Sequence, residues 1–325
     1  MKCTNKRLLS LFVLCLIFIT GCGNNKYDIP YSADTNISSF SIIEDSENSS
    51  KIDPFAKKLV VVEGNVDTSS IDIREATAAG MFDLTKGSAI YAKDIFEKMN
   101  PASLTKIMTA IVAMKNASPD LVLTASANVY VSDSSAQVVN IKEGDQMTLE
   151  QALNMMLVYS ANDAANLIAE GVGGTIENFV IMMNAEANSL GATGTHFTNP
   201  NGLHDAEHYS TPYDMYLMMN TAIQYDLFNQ IITKPEYQTV YYNAAGNEVS
   251  LEVESTNYYL IGKKTGPAGV TIIGGKTGST SMAGHCLVLY SKDSKGAPYI
   301  SVVMNSDNRD NLYAYTTELL EKIGK

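Results

Sequence analysis

The chain has 325 residues, 45% hydrophobic and 18% charged, which is enough apolar material for a sizeable core. Acidic side chains outnumber basic ones by 35 to 23, for a formal net charge of −12. That balance excludes nucleic acids and anionic membranes as partners held by surface charge.

The N-terminus reads as an export signal. Lys2, Lys6 and Arg7 form a positive region, and Leu8 to Ile19 an apolar run too short for a good transmembrane helix. Ile19-Thr-Gly-Cys22 resembles a lipobox, so cleavage is expected before Cys22, with a lipid on its sulfur. The alternative is a plain secretory peptide with an incidental cysteine. Loss of residues 1–21 removes three positive charges and no acid, moving the net charge from −12 to −15. The expected location is exported, held on the outer face of the cell membrane by the lipid alone. Residues 22–57 are rich in Asn, Ser and Asp and read as a flexible tether. At about 5–6 Å × √n, such a tether reaches tens of ångströms from its anchor. Cys3 and Cys15 leave with the signal and Cys22 is blocked. Cys286 then stands alone, a buried strand residue with no disulfide partner.

Residues 58–325 suit one catalytic unit. Thr77 to Asp83 and Ser88 to Ala92 flank Leu84-Thr-Lys-Gly87, a hairpin pattern. Residues from about Pro119 to Glu236 are patterned mostly as helices with short loops. His285 to Ser291 and Tyr299 to Met304 form a second hairpin, and Asn311 to Ile323 has helical periodicity. The expected fold class is α/β (α+β): an antiparallel sheet flanked by helices, with a mostly α-helical insert at about 119–236. The cleft between sheet and insert is the natural place for a site.

Three short motifs carry chemistry. In Asn100-Pro101-Ala-Ser-Leu-Thr-Lys106, Asn100 suits a helix N-cap and Pro101 the first helical position. Ser103 then falls in the first turn, where free N–H groups favour a developing oxyanion. Lys106, three residues on, shares its helix face and is a base for the hydroxyl if its pKa is lowered. A bare S-x-x-K also describes an ordinary surface serine and lysine. Ser160-Ala-Asn162 follows the apolar helical run Leu149 to Tyr159, with Ala161, Ala164, Ala165 and Ile168 continuing the pattern. Lys276-Thr-Gly278 lies between two strand-like segments, where an edge strand could present Lys276 and Thr277 to a substrate backbone.

Each motif has decoys. S-x-N recurs at Ser46, Ser126, Ser255 and Ser306, and Lys264-Thr-Gly266 is a second K-T-G, followed at once by Pro267. His204-Asp-Ala-Glu-His208 matches a zinc pattern that needs a helix, but the flanking Pro, Gly and Ser residues mark a loop. No metal and no organic cofactor are expected.

S-x-x-K, S-x-N and K-T-G in this order are the signature of penicillin-binding proteins and class A β-lactamases. The surrounding Leu157 to Ala165, His196-Phe-Thr-Asn-Pro-Asn-Gly-Leu203, His208-Tyr-Ser-Thr211, Asp214-Met215 and Gly275 to Thr280 closely resemble the serine-type D-Ala-D-Ala carboxypeptidases, peptidase family S11. The resemblance runs from about Ala76 to Lys325. It implies a β-lactamase/transpeptidase-like fold, in a lipoprotein form lacking the separate β-rich C-terminal domain of many relatives. It implies removal of the terminal D-alanine from peptidoglycan stem peptides through an acyl-enzyme, and binding of β-lactam antibiotics.

The resemblance also implies roles. Ser103 is the nucleophile, Lys106 its base, and Ser160 a relay to the leaving amine. Asn162 holds the substrate amide and Lys106. Lys276 and Thr277 bind the terminal carboxylate beside Gly278. The backbone N–H groups of Ser103 and Ser279 form the oxyanion hole. Many relatives place a carboxylate-binding arginine where this chain has Ala297-Pro298-Tyr299, and Arg309 lies beyond that strand, so weaker or rearranged carboxylate binding is expected. Two rivals remain. A class A-like β-lactamase would need an E-x-x-L-N loop, which is not found between Asn162 and Lys276. A catalytically silent wall-binding lipoprotein would keep only the fold.

Overall fold

The computed structural model describes residues 59–74 and 77–324. The signal segment, Cys22 and the tether lie outside the described residues. Among the described residues no helix is long and apolar enough to cross a membrane.

Five antiparallel strands form the main sheet. They are β1 (Ala78–Asp83) and β2 (Ser88–Lys93), followed late in the chain by β7 (Val270–Thr280), β8 (Gly284–Asp293) and β9 (Pro298–Ser306). Their spatial order is β2-β1-β9-β8-β7. Both hairpins read from the sequence are present, β1–β2 and β8–β9. Every residue of β1 is buried, because this strand is covered on both faces. The alternation of side chains divides the sheet between two cores. Ala79, Met81, Leu287, Leu289 and Val303 face the C-terminal helix (Arg309–Leu320), where they meet Leu312, Tyr313, Leu319 and Leu320. Phe82, Cys286, Val288, Ile300 and Val302 face the other way, into the larger helical core.

Between Pro119 and Glu236, where a helical insert is expected, the chain forms five α-helices. With α1 (Lys106–Asn116) before them, these are α2 (Leu149–Asn154), α3 (Asn162–Gly173), α4 (Ile176–Ser189), α5 (Pro212–Ala222) and α6 (Asp226–Ile232); the C-terminal helix is α7. The same stretch contributes short strands β3 (Val122–Thr124) and β4 (Gln146–Thr148). These join a hairpin of β5 (Glu236–Tyr242) and β6 (Glu248–Glu254) in a second sheet of order β3-β4-β5-β6. The β5–β6 strands alternate half-buried and exposed residues, a period-2 signal that the sequence reading did not use.

Helix starts follow side-chain chemistry. Thr148 and Gln151 form a reciprocal capping box on α2, Thr211 accepts from the Asp214 N–H on α5 with Pro212 in the first turn, and Asn308 caps α7. One aromatic contact ties the sheet to the helical layer. Phe82 of β1 stacks on Tyr216 of α5 with ring centroids 4.2 Å apart. Both rings are fully buried. Phe82→Ala should lower unfolding stability by about 3–5 kcal/mol, read as a shift in the urea midpoint at unchanged m-value.

Candidate active site

The three motifs converge on one cleft of about 710 Å³, lined by Ser103, Ser160, Asn162, Thr277, Ser279 and Arg309 among others. Each motif reaches it by a different local structure, and two of the three use backbone that the sequence does not announce.

Ser103 does not sit in the first turn of an α-helix capped by Asn100. Ala102 adopts φ +48°, in the left-handed region, and a 3-10 turn, Ala102–Thr105, precedes the start of α1 at Lys106. The Asn100 side chain accepts from His204 Nδ1 at 3.1 Å instead of capping. The left-handed step at Ala102 is what breaks the simple cap. Gly202 lies against it, also with positive φ, and a Cβ there would sit 2.0 Å from the Ala102 carbonyl oxygen. Only glycine permits that approach.

Ser160 likewise does not continue a helix. Residues Met155–Tyr159 form a π-helical turn that ends at Ser160, whose φ is +71°. α3 then starts at Asn162. The break turns Ser160 and Asn162 into the cleft together. It is held by two backbone bonds, Ala161 N–H to Met155 O at 3.2 Å and Asn162 N–H to Gln137 O at 2.8 Å. The Asp163 carboxylate, buried at the start of α3, accepts from the N–H groups of Val139, Ile141 and Ala164. That carboxylate pins the 137–141 segment against the motif.

Lys276, Thr277 and Gly278 lie within β7, the edge strand of the main sheet, as strand context suggests. Gly278 packs on the turn that carries Ser103: a Cβ there would stand 3.0 Å from both Pro101 O and Ser103 N. This brings the backbone of Ser279 beside that of Ser103.

The two lysines are buried, Lys106 at 0% and Lys276 at 1% exposure. Lys106 Nζ lies 2.9 Å from Ser103 Oγ, 2.6 Å from Asn162 Oδ1 and 2.6 Å from the Asn201 carbonyl. Burial, then the charge of Lys276, holds its pKa well below the usual lysine value, with Asp163 opposing. Lys276 Nζ donates to Ser160 Oγ at 2.9 Å and to the Thr277 carbonyl at 2.8 Å. Burial brings its pKa down to about 7.

Count the proton sites on Lys106. Asn162 Oδ1 and the Asn201 carbonyl only accept, so they occupy two N–H bonds. A neutral amine has two N–H bonds and one lone pair. The lone pair is left for the Ser103 hydroxyl.

The decoys fall elsewhere. Ser126 and Ser255 accept from the N–H two residues on, at 3.0 and 3.2 Å, so their S-x-N patterns are local turns. Ser306 ends β9 and donates to Asn308 O. Lys264 is a loop residue 3.2 Å from Asp310. His204 and His208 share no helix, and His208 is committed to protein partners. Its Nδ1 accepts from Thr198 N–H at 3.1 Å, so Nε2 carries the proton to Thr105 Oγ1 at 2.8 Å.

Several site residues were not legible as such. Asn201 holds Lys106 by its backbone, while its side chain donates to Asn166 Oδ1 at 2.9 Å. The Asn199-Pro-Asn-Gly-Leu203 run was the available signal. Thr256 Oγ1 meets Thr277 Oγ1 at 2.5 Å from the strand-to-loop exit of β6. Ala297-Pro298-Tyr299 holds no arginine, and the arginine that lines the cleft is Arg309. It lies beyond β9 in sequence, but α7 starts on the cleft, so Arg309 lines it while donating to Tyr258 OH at 2.7 Å.

The profile of the D-alanyl-D-alanine carboxypeptidase family (peptidase S11) matches residues 65–308. D-alanyl-D-alanine carboxypeptidase DacF of Bacillus subtilis is 31% identical over 251 residues, 76% of this chain and 61% of that protein. DacD of Salmonella typhimurium is 27% identical, across 76% of this chain and 62% of that protein. The chain therefore matches about three fifths of the length of these two relatives. A variant of the Streptomyces K15 DD-transpeptidase superposes with a TM-score of 0.71 at 26% identity, covering 78% of this chain and 98% of that one.

His208 gives the site a pH signature. Burial lowers its pKa to about 4 from an ordinary 6.5, so the folded chain keeps it neutral while the unfolded chain takes up a proton. The stabilisation is complete above pH 6.5 and is lost as pH falls toward 4. By that point about 3 kcal/mol should be gone on this account, and His208→Gln should lose less over the same window in urea titrations.

Proposed function

The chain belongs to the D-alanyl-D-alanine carboxypeptidase family, and we propose that it removes the terminal D-alanine from peptidoglycan stem peptides through a Ser103 acyl-enzyme. The observation that carries this reading is the proton inventory of Lys106. Its two acceptor-only partners leave one lone pair, directed at Ser103 Oγ.

Ser103 Oγ gives its proton to Lys106 and bonds to the carbonyl carbon between the two D-alanines. The resulting oxyanion lies between the N–H groups of Ser103 and Ser279. Lys106 returns the proton through Ser160, which Lys276 holds at 2.9 Å, to the leaving amine, and D-alanine departs. Water then attacks the ester, with the same base, and restores Ser103. Asn162 offers its amide nitrogen to the substrate, since its oxygen is bound to Lys106. The released residue carries a carboxylate, for which Thr277 and Arg309 line the cleft, with buried Lys276 beside Thr277.

β-Lactams enter the same scheme as acylating analogues. Slow deacylation is favoured by the lining of the cleft. Its carboxylates are Asp133, which accepts from Ser135, and Glu254, 3.5 Å from Lys263. Both are solvent-exposed, and neither bonds to Ser103. A class A-like β-lactamase would need a carboxylate positioning water on the ester.

The acyl-enzyme scheme is tested with a fluorescent penicillin and with D-alanine release from a diacetyl-Lys-D-Ala-D-Ala peptide. The label should map to the Ser103 peptide and vanish in Ser103→Ala. Lys106→Arg should reduce acylation about 100-fold or more, because a guanidinium is no base at neutral pH. Lys276 loses its charge as pH rises past about 7, so kcat/KM should decline there. Lys276→Arg, which stays charged, should keep about a tenth or more of the activity and move that decline to higher pH. Equal loss in the two arginine variants would refute the division of roles. Rapid penicillin turnover without D-alanine release would make the protein a β-lactamase, and neither labelling nor release would leave a silent scaffold.

The proposed location is the outer face of the membrane, through lipid on Cys22. The support is the charged, apolar and Ile19-Thr-Gly-Cys22 sequence pattern. Radiolabelled palmitate should enter the wild-type chain and not Cys22→Ser. Incorporation into both would remove Cys22 as the anchor.

A further inference from the structure

We infer that His285 is a positioning residue of the substrate-carboxylate subsite, setting the direction in which Ser279 donates its one hydroxyl proton; the inference rests on the carboxypeptidase reading above. His285 lies on β8, in register opposite Ser279 of β7. Its Nδ1 is 3.0 Å from Ser279 Oγ. Both residues line the cleft together with Ser103, Thr277 and Arg309.

A carboxylate only accepts hydrogen bonds, and a serine hydroxyl has a single proton to give. When Ser279 gives that proton to the ligand, its contact with Nδ1 survives only if Nδ1 carries a hydrogen and donates to Oγ. The bound state therefore selects His285 with Nδ1 protonated, as the neutral Nδ1–H tautomer or the imidazolium. The other neutral tautomer accepts from Ser279 and turns the hydroxyl proton away from the cleft. His285 thus sorts two states of Ser279, one ready for an anion and one not.

The imidazolium also adds a positive charge beside Arg309. The charged groups facing His285 are Arg309 at the start of α7 and Asp307 on the turn before it. Ser306 of β9 pairs opposite it on the other side. Burial and Arg309 lower its pKa below the ordinary 6.5, and Asp307 opposes them. The free enzyme therefore holds His285 neutral at neutral pH. A bound carboxylate favours its cation, so binding tightens as pH falls through the His285 pKa. This window lies on the acid side of the Lys276 transition near 7.

The test measures KM and kcat of the full-length protein in detergent between about pH 5 and 7.5. Two peptides are compared, one ending in a free D-alanine carboxylate and one in the corresponding amide. In wild type, KM for the acid should fall about fivefold toward pH 5, and KM for the amide should stay flat. His285→Phe should raise KM for the acid about fivefold at about pH 6.5 and abolish its fall below that pH, leaving only the Lys276 transition near 7, with kcat changed less than about twofold. His285→Gln keeps a donor but cannot titrate, so below about pH 6.5 its KM should stay near the wild-type value at that pH and flat, with only the Lys276 transition above it. Stoichiometric penicillin labelling of Ser103 checks that each variant is folded. If KM for the acid in both variants follows the wild-type pH curve, or the amide responds as the acid does, the assignment to His285 fails. If wild type releases no D-alanine from either peptide, the carboxypeptidase reading itself fails.

Discussion

The desolvation of Lys106 is the constraint on which the rest of the site depends. A lysine in water is protonated and is no base at neutral pH. At 0% exposure, beside a second buried lysine, its pKa is held well below the usual lysine value, which favours the neutral form. Burial without partners would be costly, so the fold supplies two acceptors from separate elements, Asn162 at the start of α3 and the Asn201 carbonyl. The aliphatic stem packs inside the helical layer, and the amine emerges where that layer meets the edge of the main sheet.

Bringing those elements together uses strained backbone. Ala102 and Ser160 both have positive φ, where a side chain costs on the order of 1–3 kcal/mol. Each lies at a junction: Ala102 before the nucleophile's turn, Ser160 between a π-helical turn and α3. The surroundings hold them in place. Gly202 packs on the Ala102 carbonyl, and the Asp163 carboxylate gathers three backbone N–H groups beside the Ser160 break. Two of the six non-glycine residues with positive φ among the described residues thus lie where Ser103, Ser160 and Asn162 turn into the cleft.

The distribution of charge follows the same logic. The chain carries a net −12, yet Arg309 and Lys263 line the cleft, with Lys276 buried behind it against Ser160. Cations gathered at one place on an acidic chain favour an anionic group there. The buried amine at the edge strand and the guanidinium at a helix start reach that place from opposite sides of β8 and β9 in the sequence.

The sequence by itself determined the chemistry-bearing side chains. Ser103 with Lys106, Ser160 with Asn162, and Lys276 with Thr277 were legible because S-x-x-K, S-x-N and K-T-G occur in the order of a known signature. The two hairpins and the C-terminal helix were legible from period and turn residues, since β1, β8 and β9 alternate or stay apolar without interruption. Local backbone at the site was not. A cap pattern at Asn100 and Pro101 describes an ordinary helix start, whereas packing against Gly202 imposes the left-handed step at Ala102. Helical periodicity through Ser160 likewise hides a break held by Gln137, more than twenty residues earlier. Asn201, Thr256, Arg309 and His285 came to the site only through tertiary structure. Apart from the Asn199-Pro-Asn-Gly-Leu203 run around Asn201, their neighbours announce no role, because their partners lie on other strands and helices, and hydrogen bonding at about 3 Å depends on where those elements cross. Arg309 shows this most directly: counted along the chain it lies beyond the last strand, and only the path of β9 into α7 returns it to the cleft.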